Sequence, residues 1–73
     1  MKHKVLIAKS FNESVKNIKD DLTVENYNWD SMTKINLISS VDEKYKKSID
    51  HRKFKSIKTF KDLDNLISKT IRG

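Results

Sequence analysis

The 73-residue chain has no cysteine and no proline, and its one glycine, Gly73, is the last residue. Without thiols it can form neither a disulfide nor a thiolate metal site, and the lack of cysteine fits a reducing compartment. The two histidines, His3 and His51, lie far apart and form no pair at metal-ligand spacing, so both read as solvated surface side chains. With no proline and no internal glycine, tight hairpins are disfavoured and helices joined by Asn-, Asp- and Ser-rich loops are favoured. No apolar run reaches the length of a membrane span. Val5-Leu6-Ile7-Ala8 is too short for a signal-peptide core, and no small-residue cleavage site follows it. The expectation is a soluble, cytoplasmic chain with no stable membrane insertion.

Enzyme patterns are missing as well. There is no Gly-rich phosphate loop, no His-x-x-x-His pair and no usable Ser/His/acid set. The carboxylate pairs Asp20-Asp21, Asp42-Glu43 and Asp62/Asp64 lack matched partners for acid–base work, so they read as solvating and capping groups. The expectation is no catalytic residue and no metal. Residues 1–73 make a single domain with a small core.

What the chain does have is positive charge, unevenly placed. Residues 1–30 balance five lysines against five Asp/Glu. Residues 31–73 hold eleven Lys/Arg against five Asp/Glu and so supply the whole net charge of +6. The densest stretch, Lys44–Lys61, holds eight cations against Asp50 alone. Such a block suits nucleic acid, an anionic membrane or an acidic partner, and equally a solvated Lys-rich face.

Apolar spacing gives the elements. Leu6, Ile7 and Phe11 predict a short first helix over residues 4–11, with no N-cap in Lys2-His3-Lys4. Residues 12–28 carry no sustained period and predict a long loop pinned by Val15, Ile18, Leu22, Val24 and Tyr27, with a helical turn near Ser14–Lys19. Asp30 or Ser31 then caps a second helix. Its apolar stripe is Met32, Ile35, Ile38, Val41 and Tyr45, broadened by Leu37, and it ends near Lys46-Lys47. Phe54 and Ile57 predict a short third helix over about Asp50–Ile57. Thr59, with Asp62 in a box-like arrangement, caps a last helix whose face is Phe60, Leu63, Leu66, Ile67 and Ile71. The fold class is all-α: a small four-helix bundle of three longer helices and one short one, with a long first loop.

Asp30-Ser31-Met32, followed by Ile35, Leu37-Ile38, Val41-Asp42-Glu43 and Tyr45, resembles the modification site and second helix of acyl carrier proteins. The run Ile49, Phe54 to Leu63 and Leu66-Ile67 resembles the third and fourth helices of that family, and Ile18 with Asp21-Leu22 resembles the loop before the site. Trp29 before Asp-Ser resembles carriers of dedicated pathways more than the general fatty-acid carrier. The resemblance spans about residues 5–71.

The resemblance implies a carrier of lipid or fatty-acid biosynthesis. A phosphopantetheinyl transferase would attach 4′-phosphopantetheine from coenzyme A to Ser31, with Asp30 capping the helix beside it. The thiol would hold an acyl or aminoacyl group as a thioester. The partners implied are acyl-loading and acyl-transfer enzymes, meeting Met32, Asp42 and Glu43, and the chain would be a monomer. Ile35, Ile38, Leu63 and Ile67 would line an acyl pocket between the second and last helices. Three features depart from the family pattern: Met32 for Leu, Asn28 for Gly, and a basic stretch where the family is acidic. Apart from the resemblance, the charge alone suits a basic helical nucleic-acid-binding domain, and the fold alone suits an unmodified interaction module.

Overall fold

The computed structural model describes residues 1–73, in which three α-helices pack around one core. They are α1 (Lys4–Phe11), α2 (Ser31–Tyr45) and α3 (Phe60–Arg72). Three 3-10 helices punctuate the connections: Val15–Asn17 and Val24–Tyr27 before α2, and His51–Ser56 after it. The architecture is the predicted all-α bundle, with its short helix in 3-10 form. The turn near Ser14–Lys19 is present, whereas the turn at Val24–Tyr27 goes beyond what the spacing foretold.

Each helix end has a local chemical cause. The first helix has no cap of its own, as expected, and borrows one from α3. The buried Asp64 carboxylate accepts the backbone N–H of Lys2 at 3.1 Å and of His3 at 2.7 Å. At the other end Asn12 turns left-handed (φ 56°), Asn12 N–H donates to Lys9 C=O and Glu13 N–H to Ala8 C=O. That pair of bonds is the Schellman arrangement, which satisfies carbonyls the helix leaves orphaned. The last helix starts on the predicted box: the Thr59 hydroxyl accepts Asp62 N–H, and the Asp62 carboxylate accepts Thr59 N–H.

The long first connection is held by the core and by α3. Ile18 and Val24 are fully buried. Thr23 and Thr59 form an isolated antiparallel bridge, in which Val24 N–H donates to Lys58 C=O and Phe60 N–H to Leu22 C=O. The loop therefore closes onto a segment far along the chain, an arrangement that no local period encodes.

One expectation about α2 is corrected. Its buried residues are Thr33, Leu37 and Val41, while Met32 and Ile35 are 65% and 56% exposed. The stripe read at spacings of three drifts backward by about 60° per step on a helix of 3.6 residues per turn. From Met32 to Val41 it crosses to the opposite face. The row at spacings of four, Thr33-Leu37-Val41-Tyr45, is the one that meets the core.

Candidate functional site

Trp29 positions the start of α2. Its indole stacks on Phe11 at 5.5 Å and 6° between planes, and meets Phe54 edge-on at 5.2 Å. Phe11 in turn meets Phe60 edge-on, and Phe60 meets Tyr27. This aromatic chain joins α1, the segment leading into α2, the start of α3 and the short helix His51–Ser56. Such pairs add about 0.5–1.5 kcal/mol each beyond the area they bury. Asn28 takes the left-handed conformation (φ 57°) that a non-glycine residue adopts best when it is Asn or Asp.

Asp30 is the cap. Its side chain accepts Thr33 N–H at 2.9 Å, and its carbonyl accepts Lys34 N–H. The Thr33 N–H holds the Asp30 carboxyl below the usual carboxylate range. Of the first-turn N–H groups, those of Ser31 and Met32 remain without an intrahelical acceptor. Ser31 itself is exposed, and with the cap supplied by Asp30 its hydroxyl is not needed to close the helix.

An open groove of about 550 Å³ runs beside Ser31, lined by Lys34, Ile35, Ile38, His51, Phe54 and Lys55 as well as Ser31 itself. Ile35, Ile38 and Phe54 give it an apolar floor, and Lys34, His51 and Lys55 give it a basic rim with no carboxylate. The Lys34 ammonium lies 5.2 Å above the Trp29 ring, a cation–π placement that holds it near the site. A helix N-terminus with free N–H groups and nearby cations suits an anionic group such as a phosphodiester. A free hydroxyl at that point is the atom that could carry it. The side chains present therefore fit covalent 4′-phosphopantetheine.

Of the residues singled out in the sequence, Ser31, Ile35 and Ile38 come together in this groove. Leu63 and Ile67 are fully buried in the core and do not border it. The groove opens between α2 and the third helix rather than between α2 and α3. Met32 lies exposed next to Ser31, and Asp42 and Glu43 are exposed at the far end of α2. Sequence reasoning did not place Lys34, His51, Phe54 or Lys55 here. Phe54 stood out only as a core residue, and nothing in the linear pattern joins residues 51–55 to Ser31. Another hollow, of about 490 Å³, involves Met1, His3, Tyr45, Asn65 and Arg72 and contains the N-terminal cap to α1 rather than this site.

No side chains gather in a way that could hold a metal ion, and no helix is long and apolar enough to cross a membrane. No protein-family model matches the chain, and no curated protein matches its sequence. The chain is similar in structure to the holo acyl carrier protein from Geobacter metallireducens, solved by solution NMR. The TM-score is 0.72 at 21% sequence identity, over 96% of this chain and 82% of that one. The fold of this chain is the acyl-carrier fold.

Proposed function

We propose that this chain is an acyl carrier domain modified at Ser31 and that it catalyses nothing itself. The observation that carries the reading is the exposed Ser31 hydroxyl beside an independent cap, Asp30, at the start of α2 in an acyl-carrier fold. In the reaction catalysed by a phosphopantetheinyl transferase, Ser31 Oγ attacks the pantetheine-side phosphorus of coenzyme A. An Oγ–P bond forms, the pyrophosphate P–O bond breaks, adenosine bisphosphate leaves and the hydroxyl proton is released. The attached group supplies a terminal thiol that holds an acyl chain as a thioester.

The residues around Ser31 then have separate work. Asp30 keeps the helix start in place, and the free N–H groups of Ser31 and Met32 offset the phosphodiester charge. Ile35, Ile38 and Phe54 shelter an acyl chain, while Leu63 and Ile67 pack the core beneath. The exposed Met32 meets partner enzymes at the site, and Asp42 and Glu43 meet them at the other end of α2. The setting is cytoplasmic, with a single domain working as a monomer among acyl-loading and acyl-transfer enzymes of a dedicated lipid pathway.

The test is intact mass after incubation with coenzyme A and a phosphopantetheinyl transferase. The wild type should gain one phosphopantetheine and Ser31→Ala none. A wild type that stays bare under a panel of transferases makes the domain an unmodified interaction module instead. Nucleic-acid binding is less well supported. All eight cations of Lys44–Lys61 are exposed, but of the rings among them Phe54 and Phe60 are buried and Tyr45 half-buried, which leaves His51 as the one exposed ring where a base-stacking platform needs several.

A further inference from the structure

We infer that the groove beside Ser31 is built for an acyl cargo whose far end is anionic, a carboxylate-terminated chain rather than a plain alkyl one. The inference rests on the attachment at Ser31 proposed above and names the class of group attached there.

The groove joins two kinds of surface. Ile35, Ile38 and Phe54 offer hydrocarbon contact, and Lys34, His51 and Lys55 offer N–H donors without one acid among the lining residues. The neighbouring acids are committed elsewhere. Asp30 accepts Thr33 N–H. Asp50 holds Arg52 in a two-pronged contact, Nε at 3.1 Å and Nη2 at 3.0 Å, the one ion pair of the molecule. Lys34 is drawn over Trp29, next to Ser31, where a phosphodiester would lie. His51 still feels the neighbouring Asp50 carboxylate, which leaves Lys55 as the rim cation with no anion to meet. An alkyl chain laid over the apolar floor would bring hydrocarbon to their nitrogens and gain nothing there. A chain that ends in a carboxylate gives Lys55 a charge-assisted hydrogen bond while its methylenes keep the floor covered. Because Lys55 is exposed, the preference is modest, on the order of threefold.

The test loads the full chain from octanoyl-CoA and from suberyl-CoA, its carboxylate-ended counterpart of equal length, with a transferase of broad substrate range. Mass confirms loading. Cleavage of each thioester by hydroxylamine is then timed against the corresponding free pantetheine thioester, and amide shifts are followed at His51 and Lys55. The suberyl form should be protected about threefold more than the octanoyl form, with shifts at both residues. The double variant H51Q/K55Q, altered only at exposed positions, should equalise the two, and so should about 1 M salt on the wild type. Equal protection in the loaded wild type, or a difference that survives in H51Q/K55Q, overturns the inference and leaves the carrier reading standing. A wild type that takes up no phosphopantetheine overturns both.

Discussion

The Asp64 carboxylate accepts the His3 backbone N–H at 2.7 Å, so residue 64 caps a helix that begins at residue 4. The side chain is buried, and it accepts Lys2 N–H as well. Hydrogen bonds to a charged acceptor contribute about 1.5–3 kcal/mol. Asp64→Ala should therefore lower the unfolding free energy by about 2 kcal/mol and speed amide exchange selectively in α1. Urea unfolding with residue-resolved hydrogen exchange checks both effects. Uniform exchange through α1 and α2 would count against the cap.

The exposed face of α2 makes a contrast. Met32→Ser and Ile35→Ser should each change stability by no more than about 0.5 kcal/mol, as surface substitutions do. Leu37→Ala, at a fully buried position, should cost about 3 kcal/mol. Thermal melts of the three variants decide which face of α2 meets the core.

Much of this was legible in the sequence where the cause is local. A cap at Asp30 or Ser31 and the Thr59–Asp62 box are readable because a cap is chemistry within one helical turn; the choice of Asp30 over Ser31 comes from the family resemblance, and the structure bears it out. The rotation of α2 was misread because Met32, Ile35 and Ile38 are apolar at a spacing that walks around the helix, and solvent exposure near Ser31 does not follow from hydropathy. The caps from Asp64, the Thr23–Thr59 bridge and the rim residues His51 and Lys55 were not legible. Each depends on chain segments brought together from a distance, and no residue type announces its remote partner.

Lys46 ends α2 in the left-handed region at φ 58°, where a side chain with a Cβ is strained. Its N–H still closes the helix on Asp42 C=O at 2.8 Å. Lys46→Gly should relieve the strain and keep that bond, raising stability by about 0.5–1 kcal/mol even after the entropy glycine loses on folding. Lys46→Val should do the reverse. A melting series of wild type, Gly and Val orders them.

Acid should weaken the fold from a stated set of carboxylates. Thr59 and Lys58 N–H groups hold the Asp62 carboxyl below its ordinary value, and Arg52 holds Asp50 down to about 2. A depressed folded-state pKa means stability that is fully present above the unfolded value near 3.8 and lost as pH falls through the folded value. Melting temperature should thus drop between about pH 4 and pH 2. Asp62→Asn should start lower at pH 7 and lose less over the same range. Parallel curves for the two proteins would exclude Asp62 from the acid transition.

The Thr23–Thr59 bridge has a consequence for how the chain is made. The Val24 N–H and the Leu22 C=O find their hydrogen-bond partners only at Lys58 and Phe60, and the His3 N–H finds its acceptor only at Asp64. During synthesis, both the first helix and the connection leading to Ser31 must wait for the final helix to emerge before they can settle. The hydroxyl at residue 31 thus appears halfway through translation, while its surroundings take shape only at the end.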